Sequence, residues 1–210
     1  HCGLVGSEMC IRDSKYRPND FSELIGQDTL VKTFNNALNK GRLAHAFLLT
    51  GIRGVGKTTT ARIIAKALNC IGDGSKEDPS FEICNNCSPC KSINNGNFLD
   101  VIEVDAASRT GVDGIREIID SVIYSPNNAR YKVYIIDEVH MLSNAAFNAL
   151  LKTLEEPPQS VKFIFATTEI KKIPATIISR CQKFDLQRVD LKTLSNPVSY
   201  THLRAHETAM

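Results

Sequence analysis

A chain of 210 residues in which 42% of side chains are hydrophobic and 23% charged is long enough to bury one sizeable core, so a disordered or fibrous protein is excluded. The formal net charge of +2 neither demands nor excludes nucleic acid, because a local basic patch serves without a high overall charge. No apolar run approaches the ~18 residues of a membrane span, and no basic start followed by an apolar stretch marks a signal peptide; cytoplasm is the expected location, with no membrane partner.

Both ends read as foreign to the rest. Leu4–Asp13 (LVGSEMCIRD) can be encoded by a string whose reverse complement translates as VSYTHLRAHE, which is Val198–Glu207. Folding does not select mirrored codons, and the string looks like a sequencing-library adapter translated in opposite orientations. The expected division is therefore adapter-like sequence over 1–14 and 197–210, with one natural domain over 15–196. Losing Arg12 and Arg204 takes Lys plus Arg from 25 to 23, and losing Glu8, Asp13 and Glu207 takes Asp plus Glu from 23 to 20, a net charge of +3. Five cysteines and two histidines remain.

In chain order, a helix is expected over Thr29–Asn39, then a strand Ala46–Thr50 leading into Gly-Ile-Arg-Gly-Val-Gly-Lys-Thr, Gly51–Thr58, which fits GxxxxGKT. The glycines let successive N–H groups curl inward around phosphate oxygens, and the helix that follows, to about Asn69, adds the positive end of its dipole. Gly51, Gly54, Val55, Gly56, Lys57, Thr58 and Thr59 form the candidate cradle. Lys57 would reach the β- and γ-phosphates, and Thr58 would hold Mg²⁺. A stretch over Cys70–Ser92, rich in Cys, Asn, Gly, Ser and Pro, then interrupts the alternation of strands and helices and reads as an insertion. It carries Cys84-Asn85-Asn86-Cys87-Ser88-Pro89-Cys90, a CxxCxxC, with Cys70 upstream. Four thiolates at such spacings close a tetrahedral zinc site with no open position. An iron–sulfur cluster, reduced cysteines and a disulfide pair are the other readings, zinc being the favoured one.

Further strands are expected at Asp100–Asp105, Tyr131–Asp137, Val161–Thr167 and Gln182–Leu186. Ile115, Ile118, Ile119 and Val122 recur at helical spacing, as do Phe147, Leu150, Leu151 and Leu154; both stripes read as core. Pro157 and Pro158 stop the helix ending at Glu156. The alternation predicts an α/β fold with a parallel sheet and crossover helices. Val133-Tyr134-Ile135-Ile136 ends in Asp137-Glu138, a carboxylate pair at the carboxyl end of a strand. There Asp137 can bind Mg²⁺ through water and Glu138 can polarise an attacking water. Cys181, His45 and His140 read as packing residues.

Taken together, KYRPNDFSELIGQ from Lys15, GIRGVGKTTTARIIAKALNC from Gly51, the cysteines to Cys90, DAASRTGVD from Asp105, YIIDEVHMLS from Tyr134, LLKTLEEPP from Leu150, FATTE from Phe165 and SRC from Ser179 resemble the AAA+ ATPase domain of the bacterial DNA polymerase III clamp-loader subunit gamma/tau. They cover nearly all of residues 15–196 in family order. The resemblance implies a P-loop AAA+ domain with a small Cys-rich zinc insertion, ATP, Mg²⁺ and Zn²⁺ as cofactors, and an ATPase motor that opens and loads a sliding clamp on primed DNA. It also implies a helical lid and a collar domain, which residues 15–196 do not contain, so the segment alone is expected to hydrolyse ATP poorly.

By the same resemblance Arg17, Pro18, Ile25 and Gly26 wrap the adenine, and Thr168 matches the sensor position, with Thr167 as the substitute. Arg180 of SRC matches an arginine finger acting on the neighbouring subunit's ATP, within a holoenzyme that is a DNA-directed DNA polymerase. Arg109 and Thr110, at a helix start, either face DNA phosphates or form a solvated cap. The implied partners are the other subunits of a hetero-oligomeric ring, the sliding clamp and primed DNA, with the replicative polymerase and helicase reached through regions beyond this segment. The alternatives are a non-hydrolysing zinc-stapled scaffold subunit, a DExH-type helicase suggested by Asp137-Glu138-Val139-His140, and a recombination helicase loader.

Overall fold

The computed structural model describes residues 17–72, 74, 78–108 and 112–188. The strands are β1 (Ala46–Thr50), β2 (Val101–Asp105), β3 (Lys132–Asp137), β4 (Val161–Thr167) and β5 (Gln182–Asp185), and they form one parallel sheet in the order β2-β3-β4-β1-β5. The helices are α1 (Asp28–Asn39), α2 (Lys57–Asn69), α3 (Ser88–Asn94), α4 (Val112–Val122), α5 (Asn144–Glu155) and α6 (Ala175–Ile178). Every residue of β1 and β4 is buried, because both sheet faces are covered, and this is why those strands are continuous apolar runs.

Alternation along the strands divides the core in two. Leu48, Tyr134, Ile136, Phe163 and Phe165 point to one face, where they meet Ile115, Ile118 and Val122 of α4, Phe147, Leu150 and Leu154 of α5, and Ile177 of α6. Phe47, Leu49, Val133, Ile135 and Ile164 point to the other, against Leu30 and Phe34 of α1 and Ile63, Ile64 and Leu68 of α2. Ile119 and Leu151 are partly buried beside the first cluster, so both stripes seen in the sequence face the core. No helix among the described residues is long and apolar enough to cross a membrane.

Neighbouring β1 and β4 send their chains to opposite faces, β1 into α2 and β4 towards α6. That divergence opens a crevice at the carboxyl ends of the strands, the place where open α/β sheets bind ligands. The amino end is closed differently. The Asp100 carboxylate, 1% exposed, accepts the N–H groups of Asn127 and Asn128 at 2.9 Å and Ala129 at 3.0 Å, pinning the turn before β3.

The described part of the insertion between α2 and β2 includes a helix that its composition did not suggest. Its CxxCxxC runs into α3, with Pro89 in the first turn and Cys90 and Ile93 buried. Seven residues are too few to show a helical period or to hold a helix alone, so burial of one face stabilises it. Phe81 and Ile83 pack onto the second core cluster, and the Phe81 ring stacks on Phe21 with centroids 4.7 Å apart.

Candidate functional site

Gly51–Gly56 form the turn from β1 to α2, and Gly51, Gly54 and Gly56 have φ of +152°, +80° and +94°, conformations that side-chain-bearing residues rarely adopt. Gly51 is also constrained by space: a Cβ there would lie 2.8 Å from the Leu186 carbonyl oxygen. Val55 turns inward against the second core cluster, while Gly54 is open. Lys57, the first residue of α2, is 6% exposed, and its Nζ donates to the carbonyls of Gly51 and Ile52, both at 3.1 Å. The ammonium therefore sits inside the loop, where phosphate oxygens would take the place of those carbonyls. Thr59, half-buried, follows Thr58 on the first turn of the helix.

Thr58 and the end of β3 meet across the crevice. Thr58 Oγ1 donates to Asp137 Oδ2 at 2.5 Å, and the other carboxylate oxygen of Asp137 accepts the Glu138 N–H at 2.9 Å. A hydroxyl and a carboxylate converging beside a phosphate loop are the hard oxygen donors Mg²⁺ prefers. Glu138 lies in the left-handed region, φ +46° and ψ +45°, a rare conformation for a glutamate and one that turns the chain sharply out of the strand. Its Oε2 accepts from Thr168 Oγ1 at 3.1 Å. Thr167, fully buried, instead faces His140 and the Glu169 N–H, so of the two threonines it is Thr168 that reaches the acidic pair.

His140 differs from the packing residue that its sequence suggested. On the short 3₁₀ turn Val139–Met141, its Nδ1 lies 3.1 Å from Thr167 Oγ1 and 3.3 Å from Glu138 Oε2, and its Nε2 lies 3.5 Å from Glu169 Oε1. Lys172 donates to Glu169 at 3.0 Å; this bond, with the charges of Lys172 and His140, holds the Glu169 carboxyl below its ordinary range against the opposing effect of desolvation. The signal available in the sequence was the histidine two places after Glu138, which has meaning only once the turn folds it back. By contrast, Cys181 does pack against the first core cluster, and burial pushes its thiol up to about 12.

On the far side of α2, the sulfurs of Cys70, Cys84, Cys87 and Cys90 all lie within 4.8 Å of one another, and Cys70 and Cys84 are 3.5 Å apart. Four sulfurs at ~2.3 Å from a tetrahedral zinc are about 3.8 Å apart, so the cluster is close to the size of a closed zinc site. Burial opposes ionisation of Cys84, but the N–H groups of Cys87 and Asn86 and the thiols of Cys87 and Cys70 prevail and bring it down to about 6. Burial, the Cys87 hydrogen bond and the charges of Cys70 and Cys87 push Cys90 the other way. Four thiolates this close would repel one another unless a cation lay among them, and soft sulfur donors suit zinc. Lys66 of α2, 1% exposed, sits beside the cluster, donating to Asn85 Oδ1 at 3.0 Å and to the Asn19 carbonyl. Burial lowers its pKa while the nearby Cys90 and Asp20 raise it. Nothing in the linear sequence marked this lysine.

Arg17, Pro18 and Ile25 are half-buried and Gly26 is exposed with φ +73°. Gln27, 5% exposed, ties this segment to the chain leaving β5: its amide donates to the Gln187 carbonyl at 2.9 Å and its oxygen accepts the Gln187 N–H at 3.2 Å. Leu186 in turn donates its N–H to the Thr50 carbonyl at 2.7 Å, so Ile25 and Gly26 stand next to the entrance of the phosphate loop.

Arg180 stands apart from all of these. Gln182 pairs with Phe47 and Asp185 with Thr50, which places Arg180 level with the amino end of β1, roughly 16 Å of strand from the loop. Its guanidinium bonds Glu155 Oε1 at 2.6 Å and the Thr176 carbonyl at 2.7 Å. Arg109 and Thr110 lie outside the described residues, as do the two termini.

The family model described as "DNA polymerase III, delta subunit" matches residues 26–190. Among curated proteins, the chain is 54% identical over 186 residues to the DNA polymerase III subunit gamma of Buchnera aphidicola subsp. Acyrthosiphon pisum, covering 89% of this chain and 50% of that protein. It is 56% identical over 174 residues to subunit tau of Bacillus subtilis (83% and 30%), and 48% identical over 186 residues to subunit tau of Escherichia coli (89% and 28%). The chain thus spans half or less of the length of these relatives. Solved structures alike in fold include the Thermotoga maritima RuvB Holliday junction branch migration motor, at TM-score 0.59 and 24% identity over 86% of this chain and 51% of that one. A DNA polymerase III gamma-subunit-related protein of the same organism gives 0.54 and 22% over 77% and 47%. The chain belongs to the DNA polymerase III subunit family that this model describes, and it resembles the P-loop AAA+ domain of the gamma/tau clamp-loader subunits.

Proposed function

We propose that this chain is the ATPase motor portion of a replicative clamp-loader subunit, using ATP binding and hydrolysis to open a sliding clamp and load it on primed DNA. The observation that carries the reading is the convergence of Lys57, Thr58, Asp137, Glu138 and Thr168 on one crevice at the carboxyl ends of β1, β3 and β4. Lys57 and the N–H groups from Gly51 to Thr59 bind the triphosphate. Thr58 and Asp137 would hold Mg²⁺, which when bound supplies positive charge against the β- and γ-phosphates. Glu138 orients the attacking water and accepts its proton, and the Thr168 hydroxyl contacts the γ-phosphate. Arg17, Pro18, Ile25 and Gly26 enclose the adenine, latched by Gln27.

Arg180 is too far along the sheet to reach its own nucleotide, which supports its service to a neighbouring subunit's ATP. The four cysteines would hold one Zn²⁺ as a structural staple, joining the end of α2 to α3. The partners in this reading are the other subunits of a hetero-oligomeric ring, the clamp and primed DNA, in the cytoplasm.

The test is ATP hydrolysis by the full-length subunit, assembled with its companion subunits, with and without primed DNA plus clamp. Stimulation that vanishes in Lys57→Ala supports the motor. Hydrolysis indifferent to DNA and clamp leaves a generic AAA+ ATPase, and no hydrolysis favours a scaffold subunit.

A further inference from the structure

We infer that His140 is a positioning residue for Glu138, fixing the carboxylate through Nδ1 so that one oxygen stays aimed at water while the other is held; this rests on the ATPase reading above. Glu138 leaves β3 on a turn, and a glutamate there has free torsions to lose before it can act as a base. Two groups lie against it at the same oxygen: Thr168 Oγ1 donates to Oε2 at 3.1 Å, and His140 Nδ1, hydrogen-bonded to Thr167 Oγ1, stands 3.3 Å from Oε2 at ion-pair distance. Among the described contacts Oε1 has no partner, which leaves it the oxygen that would meet an attacking water.

The imidazole can do this because it is itself held on every side. Val139 and Leu142, flanking it on the turn, are in the core at 1% and 6% exposure, and the Met141 N–H closes the turn on the Glu138 carbonyl at 2.9 Å. The His140 side chain is 7% exposed. Its Nδ1 faces Thr167 Oγ1 and Glu138 on one side, and Nε2 faces Glu169 on the other, with Lys172 bonded to Glu169 in turn. Thr167 is ordered by the Glu169 N–H it accepts at 3.0 Å. The two threonines at the end of β4 therefore divide the work: Thr167 orients the ring, and Thr168 touches the base directly.

That division has a functional consequence. A Thr168 hydroxyl turned to a γ-phosphate gives up its bond to Glu138, and His140 is then the restraint that remains. Misplacing a reacting group by ~1 Å costs on the order of 10²-fold in rate, so the ring acts on the chemical step and not on nucleotide affinity.

The experiment compares His140→Ala, His140→Asn and His140→Gln in the full-length subunit within its assembled complex, measuring kcat, KM and equilibrium ATP affinity. Asn places an amide nitrogen near the Nδ1 position and Gln near Nε2, so the pair asks which ring nitrogen matters. The expected result is a kcat in His140→Ala lowered roughly 10- to 100-fold with ATP affinity within about twofold of wild type, substantial recovery in His140→Asn, and little in His140→Gln. Equal activity in His140→Ala and wild type overturns the inference. So does equal loss of affinity and kcat in all three, which would mark a structural residue, or recovery in His140→Gln alone. Absence of stimulated hydrolysis in the wild-type complex overturns the ATPase reading first, and is distinguished by needing no variant.

Discussion

Gly51→Ala gives a sharp test of the loop geometry, because two glycines of the same loop can be compared. At Gly51 the added Cβ would sit 2.8 Å from the Leu186 carbonyl oxygen and 3.0 Å from Val55 Cγ1, on a backbone with φ +152°. The close atom is main chain, and moving it disturbs the Leu186 N–H bond to the Thr50 carbonyl at 2.7 Å. Backbone strain of ~1–3 kcal/mol and one weakened hydrogen bond at ~1 kcal/mol together suggest a loss of about 3 kcal/mol. At Gly54, φ is +80° but a Cβ meets nothing within 4 Å, so left-handed strain alone remains, about 1 kcal/mol. At ~2–4 °C of Tm per kcal/mol for a domain of this size, thermal unfolding followed by circular dichroism should show a drop of about 6–12 °C for Gly51→Ala and about 2–4 °C for Gly54→Ala. A drop for Gly51→Ala no larger than that for Gly54→Ala would refute the steric argument.

Asp100→Asn keeps the shape but replaces one acceptor oxygen by a donor facing a backbone N–H, and urea unfolding should show a loss of about 2 kcal/mol. Lys162 is 3% exposed, with the Leu43 carbonyl at 3.5 Å and the Tyr131 ring as its neighbours, and burial depresses its pKa below the ordinary 10.5. A depressed lysine destabilises the fold at pH below its folded pKa, and the cost fades as pH rises towards the unfolded value. Lys162→Met should therefore raise stability by about 1 kcal/mol at neutral pH, with a gain that shrinks in alkaline solution; a gain constant with pH would contradict this. Metal analysis of the purified protein should find about one zinc per chain, with loss of most of it in Cys87→Ser. Lys57→Ala and Arg180→Ala subunits, each inactive alone, should partly restore hydrolysis when co-assembled, since each supplies what the other's shared site lacks; no recovery at any ratio speaks against a finger acting between subunits.

The strands were legible because burial on both faces demands uninterrupted apolar runs such as Phe47, Leu48 and Leu49, too short between their flanking turn residues for a buried helix. The phosphate loop was legible because its glycines are required by backbone geometry at fixed spacing. Helix α3 was not, since its stability comes from the burial of Cys90 and Ile93 rather than from its own seven residues. Gln27 and Lys66 were passed over for a related reason: each is polar and buried, and its partners are the backbone of Gln187 in one case and Asn19 and Asn85 in the other, all distant in the chain.

What the sequence by itself determined was local: which segments run as strands, where the loop turns, and which cysteines and carboxylates are candidates for chemistry, because propensity, periodicity and motif spacing act over a few residues. It also carried the family, through motifs in order along most of residues 15–196. Only the tertiary structure decided which threonine at the end of β4 meets Glu138, that His140 turns back onto that carboxylate, and that Arg180 stands at the opposite end of the sheet from Lys57. Those facts depend on strand order and register, which are fixed by packing two faces of one sheet against helices from all parts of the chain.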